Sequence, residues 1–193
     1  MTTWHWVRHG PTHEKTFVGW RDVPADLSDR ARIARLSAFL PERALVVSSD
    51  LIRSITTADA LEMPGHRRLP HRHDLRELNF GDWDGKHFTE VAATDPDLSR
   101  AYWETPGDVA PPGGESWNAA ADRVGKAVDA LNASHPDAHI IAVAHFGVIL
   151  TQVQRAMGVT ANAAMAHKID NLSVTELHYE AETWQLRRIN HCP

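Results

Sequence analysis

The sequence has very little cysteine: one residue, Cys192, near the C-terminus. A single thiol cannot form an internal disulfide, so the chain is not a disulfide-stapled scaffold, and we expect a reducing, cytoplasmic location. Long apolar runs are also absent, and no stretch approaches the roughly 18 apolar residues of a membrane-spanning helix. The first polar motif begins at Arg8, so we expect no leader peptide ahead of it. The sequence therefore predicts a soluble protein without a membrane partner.

Positive charge is in deficit. The chain has 20 Lys and Arg against 25 Asp and Glu, a formal net charge of −5. Nucleic-acid-binding proteins usually carry a basic excess. The sequence therefore predicts no nucleic-acid partner, and an anionic substrate requires a local cluster of positive charge.

Metal-ligand spacing is absent although histidine is abundant. The 13 histidines form no HExxH motif and no Cys/His cluster. The closest pair, His71 and His73, flanks Arg72 shortly after a proline. We expect no metal site, and we interpret most of these histidines as solvent-exposed.

The sequence alternates strand-like and helix-like stretches without a linker or an internal repeat. Its 193 residues suit one domain, 1–193, with a substantial core. Short apolar runs predict three parallel strands and then two closing strands. These runs are Trp4–Val7, Leu45–Ser48, Ile140–Ala144, Leu172–Tyr179 and Trp184–Ile189. They predict an α/β fold, a three-layer sandwich with a mostly parallel central sheet flanked by helices.

Four helices are predicted from apolar spacing and capping residues. Ser28 is expected to cap one helix, and Asp50 to cap another over Leu51–Leu61. A long amphipathic helix is predicted over Ser116–Ala133, and a fourth helix over Gly147–Met157. Each of the three parallel strands is thus followed by a helix.

The first strand runs into Arg8, His9 and Gly10, a pattern suited to phosphate chemistry. An arginine binds phosphate oxygens through a bidentate fork, and a histidine can act as a nucleophile near neutral pH. The alternative is an ordinary turn with a solvated arginine and a histidine capped by backbone. The tripeptide alone does not decide between the two.

Two further residues follow the ends of the other parallel strands. His145 comes directly after Ile140–Ala144, and Arg53 lies in the first turn of the helix that follows Leu45–Ser48. In open α/β sheets, ligands bind outside the carboxyl ends of the strands. We therefore expect both residues to converge with His9 around an anion. The alternative for Arg53 is an exposed position on a helix surface.

Glu77 is the candidate proton donor. It lies between two leucines, within a stretch rich in aromatic residues and glycine, Leu75–Gly85. This setting suggests a half-buried carboxyl group, and partial burial raises a carboxyl pKa as a general acid requires. The alternative is a salt bridge with Arg76 or another neighbour.

Together these segments resemble the histidine phosphatase superfamily, also called the phosphoglycerate mutase-like family. The resemblance spans nearly the whole chain in the order that family uses. The matching segments are Arg8-His9-Gly10 with Thr12, Ser48 to Arg53 with Thr57 and Ala58, Leu75 to Gly85, Pro112 to Ser116, and Val143 to His145 with Gly147. Each segment is a weak signal, whereas their combination is specific.

The resemblance implies a role for each candidate residue. It implies that His9 is transiently phosphorylated, that Glu77 donates the proton, and that no metal or organic cofactor takes part. Arg8, Arg53 and a protonated His145 are expected to surround the phosphoryl group, whose charge is spread over its oxygens during transfer. The other expected phosphate contacts are Thr12 and the backbone amides of Phe146 and Gly147.

The activity that the resemblance implies is hydrolysis of a small-molecule phosphomonoester. The mutases of this family are typically longer than this chain and close over the bound intermediate. The region from Glu77 to Ser116 is similar to that of α-ribazole phosphate phosphatases, so α-ribazole phosphate is a candidate substrate. Two alternatives stay open: phosphoglycerate mutase-type phosphoryl transfer, and a phosphate-binding module without catalysis.

Two features bear on specificity. Phe146 stands where many family members have a second glycine after the histidine, so its ring is expected to narrow or line the pocket. Four tryptophans are candidates for an aromatic wall beside a hydrophobic leaving group, the alternative being the core. They are Trp20, Trp83, Trp103 and Trp117.

Overall fold

A computed structural model describes residues 1–193 and contains one six-stranded sheet. The strands are β1, Thr2–Arg8; β2, Ala44–Ser48; β3, His66–Arg68; β4, His139–Ala144; β5, Val174–Glu180; and β6, Thr183–His191. Their spatial order is β3-β2-β4-β1-β5-β6. The first four strands in that order run parallel, whereas β5 and β6 join antiparallel at one edge. The predicted mostly parallel sheet is confirmed, and the short edge strand β3 is an addition to it.

Helices cover both faces of the sheet. They are α1, Arg30–Phe39; α2, Ile52–Ala60; α3, Phe88–Thr94; α4, Pro96–Glu104; α5, Trp117–Ser134; α6, Phe146–Met157; and α7, Ala161–Met165. One core cluster joins α1 and α2 to Val7 and Ile141, and a second joins α5 and α6 to Trp4, Trp6 and Ala142. Successive strand residues point to opposite faces, so these clusters confirm the three-layer α/β fold. None of the helices combines the length and the apolar composition needed to cross a bilayer.

The predicted helix starts lie close to the observed ones. α1 is capped by Asp29 and not by Ser28, because it begins one residue later than the prediction requires. α5 is capped by Ser116 as predicted, and Ser116 Oγ accepts from Ala119 N at 3.2 Å. α6 begins at Phe146, one residue before its predicted start.

Asp50 does not cap α2, contrary to the prediction. Both of its carboxylate oxygens accept from Arg76, at 2.7 and 2.8 Å. The first turn of α2 is capped from a distant segment instead, because Asp22 Oδ1 accepts from Ile52 N at 2.7 Å. The pair with Arg76 gives Asp50 two charge-assisted hydrogen bonds to a cation, whereas a helix cap would give it a bond to a backbone amide. The hydrogen bond from Ile52 N to Asp22 Oδ1 also ties the loop around Asp22 to α2, the helix that carries Arg53.

Candidate active site

The residues that follow three neighbouring strands meet at the carboxyl edge of the sheet. β1, β2 and β4 end in register at Arg8, Ser48 and Ala144. His9 and His145 follow directly, with ring centroids 5.1 Å apart and ring planes tilted by 60°. The structure thus brings together two histidines that the sequence places at separate strand ends.

His9 has a free lone pair at Nε2. Its Nδ1 lies 2.7 Å from Gly10 O, and because a carbonyl only accepts, Nδ1 carries the proton. Burial lowers the pKa of His9 to about 3, and the positive charges of Arg53 and Arg8 act in the same direction. His9 is therefore neutral near pH 7, with Nε2 available to attack an electrophile.

His145 is held as a neutral ring in this structure, and its protonation beside a phosphoryl group stays a prediction. Arg53 Nε donates to His145 Nδ1 at 3.2 Å, so Nδ1 accepts and Nε2 carries the proton. Nε2 in turn lies 2.7 Å from Ser49 Oγ and 3.2 Å from Ser54 Oγ. Burial, and then the charge of Arg53, holds the pKa of His145 well below its usual value. A second cation is disfavoured where an arginine already lies against the ring.

Arg53 is fully buried, so the interpretation as an exposed helix arginine is wrong. Besides its bond to His145, Nη1 donates to Arg21 O at 2.9 Å and Nη2 donates to Gly19 O at 2.6 Å. Each terminal nitrogen carries two N–H groups, so each keeps one further donor. The guanidinium is oriented before any ligand binds, and two donors remain for an anion.

Arg8 has a buried donor that no protein group satisfies. Its Nη1 donates to Ile169 O at 2.6 Å, and the Phe146 ring centroid lies 5.4 Å from Cζ. Its Nε is buried without a hydrogen-bond partner. Leaving such a donor unpaired costs about 1–3 kcal/mol. An anion oxygen placed there would recover that energy, since it accepts from a charged donor.

Glu77 is buried at the same edge, only 7% exposed. Its Oε1 accepts from Leu78 N and Gly147 N, both at 3.0 Å. Burial raises the pKa of Glu77, although these two amides and the charges of Arg53 and Arg8 act in the opposite direction. The predicted alternative of a salt bridge with Arg76 is wrong, since Arg76 pairs with Asp50.

Glycine is required at position 147 because the carboxyl group of Glu77 lies against it. A Cβ at Gly147 would lie 2.7 Å from Glu77 Oε1. The Gly147 amide donates to Glu77 in this structure, so its predicted contact with phosphate would have to replace that bond and stays a prediction. The amide of Phe146 opens α6 and has no acceptor within the helix. Thr12 follows shortly after His9 in the sequence and is partly buried. Its hydroxyl has no hydrogen-bond partner in the protein.

The four tryptophans do not form one wall. Trp83 and Trp117 are 0% and 3% exposed and belong to the core. Trp103 lies at the surface, 36% exposed. Trp20 is partly buried, and its Nε1 donates to Glu77 O at 2.8 Å. Of the four, Trp20 is the one that hydrogen-bonds a residue of the candidate site.

Three hydroxyl groups that had no predicted role lie in the site. Ser49 and Ser54 lie at Nε2 of His145, and Thr57 Oγ1 accepts from Gly10 N at 3.0 Å. Ser49 and Thr57 are among the residues that match the family pattern, whereas Ser54 lies between them without being part of the match. The signal was therefore present, but hydroxyl groups on a helix carry no distinctive spacing. Across the chain, no three His, Cys, Asp or Glu side chains converge in an arrangement that would hold a metal ion.

We expect acid to destabilise the fold through its buried histidines. Burial lowers the pKa of His5 to about 4, that of His9 to about 3, and that of His145 well below 6.5. Unfolding returns each group to its ordinary pKa of about 6.5. As pH falls from about 6.5 to about 4, the unfolded chain therefore binds protons that the folded chain does not. The free energy of unfolding should fall by up to about 1.4 kcal/mol per pH unit for each such histidine, as measured by urea denaturation.

His5 isolates this effect because it lies on β1, before the catalytic edge. Its ring is 8% exposed. Between pH 6 and pH 5, His5→Gln should lose about 1 kcal/mol less stability than the wild type. The same substitution at exposed His71 shows what the loss of a surface histidine does. Parallel stability curves for the wild type and His5→Gln would contradict the assignment.

A family match identifies the chain by a route independent of the site geometry. Residues 5–191 match the model of the histidine phosphatase superfamily, branch 1. The chain belongs to the histidine phosphatase superfamily. The family resemblance stated from the motifs is therefore confirmed.

Among the relatives in the superfamily, some are named phosphoglycerate mutase-like and others are named phosphatases. The phosphoglycerate mutase-like protein 4 of Arabidopsis thaliana is 30% identical, over 94% of this chain and 81% of its own length. The glucosyl-3-phosphoglycerate phosphatase of Mycolicibacterium vanbaalenii is 34% identical, over 79% of this chain and 72% of its own length. Among solved structures, a mycobacterial glucosyl-3-phosphoglycerate phosphatase superposes with a TM-score of 0.85 at 28% identity, covering 99% of both chains.

Proposed function

We propose that this chain is a phosphomonoester hydrolase that acts on a small-molecule phosphate through a phosphohistidine at His9. The observation that carries the proposal is a neutral, buried histidine with a free Nε2, set beside the partly buried Arg8 and the fully buried Arg53. Nucleophile and anion-binding groups are thus placed together before substrate arrives. Glu77, protonated more readily than an ordinary carboxyl group, lies at the same edge.

In the first step, His9 Nε2 attacks phosphorus as the bond from phosphorus to the ester oxygen breaks. Glu77 transfers its proton to the departing oxygen and becomes a carboxylate. The phosphoryl group is then covalently held on His9, and the alcohol leaves. Arg8 and Arg53 stabilise the negative charge on the phosphoryl oxygens, with the largest effect in the transition state.

In the second step, water attacks the phosphohistidine. The Glu77 carboxylate takes a proton from that water as its oxygen bonds to phosphorus, and the bond from phosphorus to His9 Nε2 breaks. Inorganic phosphate leaves, and Glu77 is protonated again. One carboxyl group thus serves as the acid in the first step and as the base in the second.

The names of relatives support hydrolysis of a small phosphate ester, because a curated relative and a solved structure that covers nearly the whole chain are both named phosphatases. The mutase alternative is favoured by the name of one relative, phosphoglycerate mutase-like protein 4. A binding module without catalysis would not need a buried acid beside a nucleophile. α-Ribazole phosphate stays a prediction, and glucosyl-3-phosphoglycerate joins it as a candidate because of the relatives' names.

Phosphate release from a panel of small phosphomonoesters tests the activity, run beside an isomerisation assay with 3-phosphoglycerate. The panel contains α-ribazole phosphate and glucosyl-3-phosphoglycerate as well as simple aryl and alkyl phosphates. We expect phosphate release without isomerisation. Isomerisation of 3-phosphoglycerate would assign a mutase, and binding of inorganic phosphate without any turnover would assign a binding module.

The proposed enzyme is a single domain, 1–193, that works in the cytoplasm on a soluble substrate. It is proposed to need no metal or organic cofactor, since the positive charge for the phosphoryl group comes from arginines. The net charge of −5 fits a protein without a nucleic-acid partner. No membrane partner is proposed.

A further inference from the structure

Glu77 stands on a loop without regular structure. Residues 76–80 lie between two short 3₁₀ turns, 73–75 and 81–83, in neither a helix nor a strand. A general acid must nevertheless be held close to its productive position, because a displacement of about 1 Å can cost about a hundredfold in rate. The position of Glu77 therefore depends on contacts made from outside its own loop.

Arg123, on α5, makes several of these contacts. Its Nη1 donates to Asp74 O at 2.9 Å and to Arg76 O at 3.0 Å. Its Nη2 donates to the carbonyl of Glu77 itself at 3.3 Å. Two carbonyl oxygens of the loop and one of the turn before it are thus bound to one guanidinium, whose planar fork fixes their relative positions.

Glu115 holds both the arginine and the far side of the loop. Its Oε2 accepts from Arg123 Nε at 3.1 Å, and its Oε1 accepts from Arg123 Nη2. Oε1 also accepts from Asn79 N at 2.9 Å, while Glu115 N donates to Asn79 O at 2.9 Å. The two side chains are only 15% and 17% exposed. Partial burial strengthens these bonds, and every donor and acceptor of the pair points at the loop or at its partner.

The glycine before Glu115 lets the two loops touch. A Cβ at Gly114 would lie 2.4 Å from Asn79 O, so any other residue would push the loops apart. Asp82 N also donates to Pro112 O at 2.8 Å. The segment Pro112 to Ser116, which the proposed reaction does not use, therefore has a physical task beside the Glu77 loop.

We propose that Arg123 and Glu115 are positioning residues that hold Glu77 where it can protonate the leaving group. Neither residue is proposed to touch the substrate. The inference rests on the proposed function, because it assigns the pair to the acid of that reaction. The Glu115–Arg123 pair acts on the first step, through the backbone of residues 74–79.

This mechanism has a signature that general damage to the fold does not share. Protonation matters greatly when the leaving group is a poor one, such as an alkoxide, and little when it is a nitrophenolate. Misplacing Glu77 should therefore reduce kcat/KM selectively for alkyl phosphates. The ratio kcat/KM reports the steps up to departure of the alcohol, so slow hydrolysis of phosphohistidine does not mask the effect.

The experiment compares kcat/KM for nitrophenyl, phenyl and alkyl phosphates in the wild type and in Glu115→Gln, Arg123→Met and Glu77→Gln. We expect Glu115→Gln and Arg123→Met to lose at least about tenfold on alkyl phosphates and less than about threefold on nitrophenyl phosphate, a part of the full general-acid contribution of about 10²- to 10⁴-fold. Asp122→Asn is the matched control. It removes a carboxylate that also pairs with a cation of α5, Lys126, but at an exposed position away from the loop.

A second comparison tests whether the Glu115–Arg123 pair acts through Glu77. In a Glu77→Gln background, Glu115→Gln should produce no further selective loss on alkyl phosphates. Urea denaturation of every variant shows that it is folded, and Glu115→Gln tests the proposal even if Arg123→Met does not fold. An equal loss on all esters, no loss at all, or a full additional selective loss in the Glu77→Gln background would each overturn the proposal.

The outcome is separable from that of the proposed function. If the wild type hydrolyses none of the esters, the proposed function fails. If the wild type hydrolyses them and loses turnover with His9→Ala, the proposed function stands. The leaving-group pattern of Glu115→Gln then decides the positioning role by itself.

Discussion

Replacing His9 by alanine should remove phosphatase turnover, with a loss of at least about 10⁴-fold, the size found when a covalent nucleophile is removed from an enzyme of another class. The loss should apply equally to every ester, because His9 Nε2 forms the bond to phosphorus whatever the leaving group. Arg8, Arg53 and Glu77 remain in this variant, so binding of inorganic phosphate should persist. Phosphate release at a saturating concentration of each ester measures the loss of turnover. Isothermal titration calorimetry with inorganic phosphate measures the binding that should persist.

The matched control for His9→Ala is His5→Gln, which also removes a buried histidine but lies away from the catalytic edge. It should keep wild-type turnover at pH 7. Mass spectrometry of the wild type, quenched in alkali during turnover, should find the phosphoryl group on the peptide that contains His9. Wild-type phosphatase activity in His9→Ala, or a stable phosphoryl group on another residue, would refute the assignment.

Glu77→Gln should lower kcat/KM for alkyl phosphates by about 10²- to 10⁴-fold, the usual contribution of a general acid. The substitution is isosteric, and the amide oxygen can accept from Leu78 N and Gly147 N as Glu77 Oε1 does. Folding is therefore expected to survive, and the loss reports the missing proton. Nitrophenyl phosphate, which needs little protonation, should lose much less in kcat/KM. Equal losses on the two kinds of ester would contradict the role of Glu77 as an acid.

The pH dependence of kcat/KM should show the same proton. Burial raises the pKa of Glu77, and the first step uses its protonated form. Activity should therefore fall as pH rises through that pKa, and this fall should be missing in Glu77→Gln. On the acid side, the pKa of His9 is lowered to about 3, so protonation of the nucleophile should not limit the rate between pH 7 and about pH 4. Both enzymes are compared on one ester, so that ionisation of the substrate is common to them.

The backbone of the site could be predicted from the sequence because it depends on local pattern. His9 and His145 each follow an unbroken apolar run, and such runs are typical of parallel strands buried on both faces. Parallel strands end at a common edge, which is why the two rings lie close together. The strand-end pattern also indicated Arg53, and the apolar neighbours of Glu77 indicated a buried carboxyl group. The family resemblance then implied their roles.

The partners of those residues could not be predicted, because they come from distant parts of the chain. The burial of Arg53 depends on the carbonyls of Gly19 and Arg21, which lie in a loop without a periodic pattern. Asp50 is of a residue type that often caps helices, yet Arg76 binds both of its carboxylate oxygens. Tertiary contacts outweighed local propensity in both cases, through backbone carbonyls for Arg53 and through an ion pair for Asp50.

The contacts of His145 could not be predicted for a related reason. A histidine beside an expected phosphate is easily taken as cationic. In the structure its Nδ1 accepts from Arg53, and burial makes a second positive charge unfavourable. The predicted tryptophan wall fails for the same reason. The sequence does not show whether an indole ring faces a cleft or is buried in the core.

The loop between α7 and β5 has a consequence for the order in which activity can arise during synthesis. Arg8 Nη1 donates to Ile169 O, and His9 O accepts from Asn171 Nδ2 at 2.8 Å, so the phosphate site is braced by residues made long after its nucleophile. A ribosome-bound chain that has emerged only as far as α6 carries every proposed catalytic side chain but lacks this brace. Contacts that span so much of the chain form late in folding. The arrangement delays the reactive histidine until translation is nearly complete, and nascent chains should therefore contribute little phosphatase activity.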